Sequence, residues 1–210
     1  MSIAGSSEGT LGHVVVSGGT PHEWLDMSHS EWVERVNTLL RAARIGGVRW
    51  VTLLPHHGQE FSDIERRQYV ERLGVNDKDS SRKITTVASG LSDRYVLQDD
   101  SGTTVIIDPR PDGHERFAGI VEALRRDGVD PSTLTEESLS RAILKPAEIE
   151  PDLVVVLGPP DVIPDSMVWE LAYSELVFLD LGWGQLTSSH LELAIDDFTR
   201  RHRRFGGLDS

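Results

Sequence analysis

Cysteine is absent from the 210 residues. Its absence excludes disulfides, thiolate nucleophiles and cysteine-ligated metals, and it suits a cytoplasmic protein. Aromatic residues make up only 6% of the chain and apolar residues 38%, and no apolar run approaches the roughly 20 residues that span a bilayer. Basic residues are scarce as well. The 21 Lys and Arg face 34 Asp and Glu, for a net charge of −13, which excludes an electropositive nucleic-acid groove and docking to an anionic membrane surface. There is no internal repeat, no Gly-x-Ser-x-Gly elbow, and no P-loop or dinucleotide fingerprint. Residues 1–12 have neither the basic start nor the apolar centre of a secretory signal, and are expected to form a flexible tail.

What remains is a strongly alternating pattern. The length suits one domain with a sizeable core, expected over residues 13–207, with 208–210 as a C-terminal end. Short apolar runs alternate with amphipathic stretches, which predicts an α/β fold with a central, mainly parallel sheet flanked by helices. Strands are expected at 11–17, 48–54, 83–88, 94–98, 103–107, 153–157 and 175–180, with Asp99-Asp100-Ser101-Gly102 as a hairpin turn. Ser28 with Glu31, and Ser62 with Glu65, form capping boxes at the starts of two helices. The first buries Trp32, Val33, Val36, Leu39, Leu40 and Ala43 and stops at Gly46-Gly47. The second runs to Leu73, with Gly74 beyond it. A helix over 114–127 turns Phe117, Ile120, Val121 and Leu124 inward. Another, capped by Thr135, buries Leu139, Ala142 and Ile143. The last is capped by Ser188 or Ser189 and reaches Arg203, with Leu191, Ala194, Ile195 and Phe198 on its buried side. Residues 76–82 are polar and expected to be mobile.

Two clusters invite a functional reading. His22, His56 and His57 each follow an early strand. Zinc would require further ligands, and adjacent His56-His57 is not a ligand spacing, so a solvated loop is expected. Arg200, Arg201, His202, Arg203 and Arg204 form a basic knot in an acidic chain. Such residues complement the dipole at a helix C-terminus. Their continuation into Phe205-Gly206-Gly207 adds backbone N–H groups that can approach a phosphate.

Longer motifs carry a resemblance. Pro151-Asp152-Leu153, Trp169, Tyr173-Ser174-Glu175-Leu176, Phe178, Trp183 and Arg203-Arg204-Phe205-Gly206-Gly207 stand at the spacing of the C-terminal signature of cis-prenyltransferases. His13, the following apolar strand and Trp24 fit the N-terminal signature, and Val51-Thr52-Leu53-Leu54 fits the strand of the third. The resemblance implies the cis-prenyltransferase fold and a dimer. It also implies lost chemistry. The magnesium-binding Asp of the family falls on Gly19, and a phosphate-binding Arg on Glu23. Two diphosphate-binding arginines fall on Val156 and Val162, with Leu157-Gly158-Pro159-Pro160 in place of Thr-Ser-Gly-Glu. A guanidinium fork gives a phosphate both charge and donors, and valine gives neither. A magnesium ion requires hard oxygen ligands that glycine lacks. The segment between Phe61 and Thr103 is much shorter than in the family, which implies a shortened tunnel region with no room for a long prenyl chain.

Lost sites on a retained scaffold resemble the non-catalytic, Nogo-B receptor-like subunit of heteromeric cis-prenyltransferases. The resemblance therefore assigns this chain no catalytic and no metal-binding residue. It implies a catalytic cis-prenyltransferase partner that holds the magnesium. Trp169, Tyr173, Glu175 and Phe178 would lie at the interface, and Arg204, Phe205 and Gly206 would reach the isopentenyl diphosphate site in trans. A homodimer is expected when the partner is missing. The alternative is a divergent prenyl diphosphate synthase, active by itself, that uses His22, Glu23, His56 or His57 in an altered pocket.

Overall fold

The uninterrupted apolar run Leu153–Leu157 is a strand buried along its whole length, as a strand covered on both faces requires. In the computed structural model, residues 11–75 and 83–205 are described, with side chains as far as Arg201. The expected tail and the polar stretch 76–82 therefore lie outside the described residues, apart from Leu11 and Gly12.

The chain runs β1 (His13–Ser17), α1 (Pro21–Asp26), α2 (His29–Gly46), β2 (Trp50–Leu54), α3 (Asp63–Leu73), β3 (Ile84–Ser89), β4 (Ser92–Gln98), β5 (Thr104–Ile107), α4 (Gly113–Arg126), α5 (Glu136–Leu144), β6 (Leu153–Leu157), β7 (Glu175–Leu179) and α6 (Ser188–Phe205). Among the described residues the strands form one sheet in the order β3-β4-β5-β2-β1-β6-β7. Strands β5, β2, β1, β6 and β7 pair in parallel, and β3 and β4 are antiparallel additions at one edge.

Side chains alternate across this sheet with the two-residue period of a strand. Val14, Val16, Leu53 and Val155 face α2, α3 and α6, whereas Val15, Leu54, Val154 and Val156 face the opposite side. The capping boxes of Ser28, Ser62 and Thr135 form as expected. Gly47 takes the left-handed conformation that ends α2, with φ +68°. Gly46 serves packing instead: a Cβ there would come within 2.7 Å of Ile195 Cγ2, so glycine lets α2 and α6 approach closely. The buried side of α6 holds Leu191, Ala194, Ile195 and Phe198. Two expected core residues point outward. Val33 is 42% exposed and Val121 41%, because each lies at the margin of its helix's apolar stripe.

Between α2, α3 and the sheet, aromatic side chains fill the volume. Trp32 meets Tyr69 edge-on with ring centroids 5.5 Å apart, Tyr69 meets Phe61 at 5.0 Å, and Tyr95 of β4 closes on Tyr69 at 5.7 Å. Among the described residues, a cavity beside Trp32, Val36, Leu73, Ile84 and Leu97 measures about 20 Å³, room for roughly one water.

Two residues of the motifs, Asp152 and His13, have local structural work. Asp152 Oδ2 accepts the N–H groups of Gly12 (2.8 Å) and His13 (3.0 Å), tying the start of β6 to the start of β1. His13 is fully buried. Its Nδ1 lies 3.0 Å from the Ile149 carbonyl and its Nε2 2.9 Å from Thr52 Oγ1. A carbonyl only accepts, so Nδ1 carries the proton and Nε2 accepts from the hydroxyl.

Candidate functional site

The parallel strands end together, and the loops leaving β1, β2, β5 and β6 meet at that edge. Gly18 N–H donates to Leu54 O (3.0 Å), and His56 N–H donates to Gly19 O (2.7 Å). Thr20 then caps α1. Its Oγ1 accepts from Glu23 N (3.2 Å), while Glu23 Oε2 accepts from Thr20 N (2.8 Å). Glu23 thus closes its own helix start, which accounts for an acid at this position. This short helix was not anticipated from the sequence, although Thr20 and Glu23 carry the capping-box spacing that signals it.

Gly19 has φ +72°, and a Cβ on it would stand 2.8 Å from Trp24 Nε1 and 2.9 Å from Trp183 Cγ. Those indoles belong to a cluster. Trp24 crosses Trp32 at 89° with centroids 5.7 Å apart and lies 5.7 Å from Trp183. Trp24 Nε1 donates to Gly18 O and Trp32 Nε1 to Trp24 O. The Arg35 guanidinium sits 4.2 Å over the Trp183 ring and donates to the carbonyls of Leu186 (2.9 Å) and Trp183 (2.8 Å). Gly19 is therefore demanded by backbone conformation and indole packing, and Gly18 by the Leu157 side chain against it. A carboxylate at Gly19 has no room, so the residues present do not fit a magnesium ion.

Val156 is fully buried with Val15, Leu54 and Met167, an apolar setting hostile to an unpaired guanidinium. Val162 lies on the loop after β6 and is 45% exposed. The histidines are not brought into one ligand set. His22 Nε2 lies 3.6 Å from Glu65 Oε1, whereas His56 Nδ1 lies 3.1 Å from His57 Nδ1. Among the described residues no group of three or more His, Asp or Glu is placed to hold a metal.

A buried ionic cluster beside this edge was missed by sequence reasoning. Asp108, at the end of β5, takes Arg94 Nε on Oδ2 (2.8 Å) and both Nε (2.8 Å) and Nη2 (2.6 Å) of Arg110. Burial alone would raise the Asp108 carboxyl. The charges of Arg110 and Arg94 overcome that and hold it well below the usual carboxylate range. Arg110 Nη1 also donates to Ser89 O (3.0 Å), and Arg94 to Lys145 O. The cluster thus ties the β3–β4 turn and the connection after α5 to the sheet. Arg116 and Glu170 form a second buried pair at 2.5 Å. No sequence signal gives these partners, which are separated by up to 54 positions.

The residues expected at an interface divide. Trp169 is half-buried, stacks on Phe117 with centroids 6.1 Å apart, and donates from Nε1 to Ser140 Oγ (3.3 Å). Phe178 is half-buried against the Val15 and Val156 cluster. Tyr173 is 68% exposed and its hydroxyl donates to Glu136 Oε1 (3.1 Å). Glu175 opens the edge strand β7 and lies 3.9 Å from Arg201 Nη1. In α6, Arg200 pairs with Asp196 and Arg201 with Asp197, so these two members of the basic knot are neutralised within their own helix. Arg204 and Phe205 fall in the last turn of α6, and Gly206 lies outside the described residues.

Comparison with known proteins agrees with this architecture. A family model described as "Putative undecaprenyl diphosphate synthase" matches residues 110–206. Isoprenyl transferase 2 of Bradyrhizobium diazoefficiens is 28% identical over 204 residues, covering 86% of this chain and 81% of its own. An isoprenyl transferase of Lactococcus lactis is 35% identical over 164 residues, covering 76% of this chain and 62% of its own. Among solved structures, a probable undecaprenyl diphosphate synthase from Campylobacter jejuni superposes with a TM-score of 0.54 at 12% identity, over 93% of this chain and 98% of that one. The lavandulyl diphosphate synthase of Lavandula x intermedia gives 0.55 at 13% identity, over 92% and 97%. The chain thus shares the fold of these two structures, and its residues 110–206 match the family model.

Proposed function

We propose that this chain is the non-catalytic subunit of a heteromeric cis-prenyltransferase. It pairs with a catalytic chain through the β7 edge and its neighbours, among them Tyr173 and Glu175. Arg204, Phe205 and Gly206 complete the partner's isopentenyl diphosphate site, and the magnesium belongs to the partner. The observation that carries the reading is Gly19: the two indoles packed on it leave no space for the metal-binding carboxylate of the family. The aromatic filling supports it, since among the described residues Trp32, Phe61, Tyr69 and Tyr95 occupy the volume between α2, α3 and the sheet. The proposal includes a cytoplasmic location. Among the described residues no helix is long and apolar enough to cross a membrane.

A second reading is a divergent synthase that acts alone. It is favoured by the relatives, whose names are those of isoprenyl transferases and whose similarity spans most of the chain. One experiment separates the two: prenyl transfer from a short allylic diphosphate and isopentenyl diphosphate with magnesium, by the purified chain and by the chain co-purified with a family member of intact motifs. The proposal expects no turnover by the chain alone and faster turnover by the pair than by the partner alone. Turnover by the partner-free chain establishes the second reading.

A further inference from the structure

Leaving β6, the chain makes a proline-bracketed loop over residues 158–165 that crosses the end of β2 and rests on His56. His56 is 6% exposed. Its backbone is fixed on both sides: the N–H donates to Gly19 O (2.7 Å) and the carbonyl accepts from Asp165 N–H (3.0 Å). Gly158 lies against the ring, so that a Cβ there would stand 3.7 Å from Nε2. That Nε2 is buried and makes no hydrogen bond of ordinary length. Nδ1 lies 3.1 Å from His57 Nδ1, which requires one of the two nitrogens to present a lone pair.

We infer that loop 158–165 is a pH-gated strap, closed over neutral His56 and released when that imidazole is protonated. The charged and titratable groups facing the ring are His57, on its own loop, and Asp165, on the strap. The β1–α1 turn contributes Gly19 and the end of β6 contributes Gly158, neither of which ionises. A proton on His56 places a charge in a desolvated seat, and protons on both rings leave two Nδ1 donors with no acceptor between them. Asp165 and the Val162 carbonyl pull the other way. Burial, and next to it His57, outweigh them and hold His56 below its usual 6.5. The sign follows: the closed strap is fully stable above about pH 6.5, and its stability falls as pH drops below that value toward the lowered pKa. The strap carries Val162 and Ile163, 45% and 53% exposed, so its release moves an apolar pair at the edge where the strands end. None of this depends on the function proposed above.

The test uses the full chain. The ¹⁵N shifts of the His56 ring and the protection of the Asp165 amide are followed from about pH 7.5 to about pH 5, across the range in which histidine titrates. Protection at Asp165 is expected to fall as pH drops below about 6.5, about tenfold per pH unit at the steepest, and to level off where His56 takes up its proton, while the amides of Val154 to Val156 stay protected. In His56→Gln the protection of Asp165 should be independent of pH. The inference is overturned if His56 takes up its proton while Asp165 keeps its protection. It is equally overturned if Asp165 loses protection to the same extent in His56→Gln. The wild-type co-titration decides the matter even if the variant fails to fold.

Discussion

Gly19 and Trp183 are in such close contact that a Cβ on Gly19 would stand 2.9 Å from the indole Cγ. The glycine also has φ +72°, a region that costs a residue with a Cβ roughly 1–2 kcal/mol. The missing carboxylate is therefore one half of a coupled arrangement whose other half is the Trp24, Trp32, Trp183 and Arg35 stack. Gly19→Asp should destabilise the fold by about 2–4 kcal/mol, from backbone strain together with overpacking, and should create no magnesium affinity. Urea unfolding and calorimetric titration with magnesium measure both. An unchanged midpoint together with magnesium binding would show that the indoles yield and that the site is recoverable.

His13 sets an acid limit on stability. Its burial holds the imidazole at about 4, against an ordinary 6.5. A folded-state pKa below the unfolded one means that the neutral ring stabilises the fold fully above about pH 6.5, and that this contribution drains away as pH falls toward 4. The difference corresponds to about 3 kcal/mol, lost at up to roughly 1.4 kcal/mol per pH unit. His13→Gln should lower stability at neutral pH and flatten the slope between about pH 6 and pH 4. A slope equal to that of the wild-type chain would assign the acid limit to other groups.

How much of this was legible in the sequence depended on distance along the chain. Ser28 with Glu31 and Ser62 with Glu65 act over three residues, and both helix starts were readable. So was β6, because a five-residue apolar run must be covered on both faces. Strand ends moved by one or two residues: β1 starts at His13 and β2 at Trp50, since the preceding apolar residues pack without joining the ladder. The site was less readable. Motif spacing pointed to Gly19 and Val156 as altered positions, but not to Trp183 as the residue that fills the space. Asp108, Arg94 and Arg110 carry no local signal of a shared buried site, because only the sheet brings them together. His13 could be aligned by its motif, yet its partners Thr52 and Ile149 lie 39 and 136 positions away.

Tyr173 and Trp169 separate assembly from stability. Tyr173 is 68% exposed, so Tyr173→Ala should change unfolding by no more than about 0.5 kcal/mol. If the β7 edge is the interface, the same change should weaken dimerisation about tenfold or more, as loss of an aromatic anchor does. Trp169→Ala removes a stacked, half-buried indole and should cost about 2–3 kcal/mol of fold stability, so assembly loss there would not locate an interface. Sedimentation of both variants beside their unfolding curves checks this. Unimpaired assembly of Tyr173→Ala would move the interface away from this edge.

The tail offers the most discriminating comparison, because neighbouring arginines act as controls. Arg200 and Arg201 are engaged by Asp196 and Asp197 one helical turn back. Exposed pairs of this kind contribute about 0.3–0.5 kcal/mol, so Arg200→Ala should leave the activity of a co-purified pair within about twofold. If Arg204 reaches the diphosphate in the partner, Arg204→Ala removes a charge-assisted contact of about 1.5–3 kcal/mol, and turnover should fall about tenfold to a hundredfold. Removing residues 204–210 should reproduce that loss while the pair still assembles, since β7 and the buried face of α6 precede the cut. Asp209→Ala should be nearly silent. Steady-state assays of each co-purified variant, with gel filtration of the same samples, distinguish a substrate contact from a structural one. Full activity in the truncated pair would reject the trans contribution and leave the C-terminus of α6 with a packing role alone.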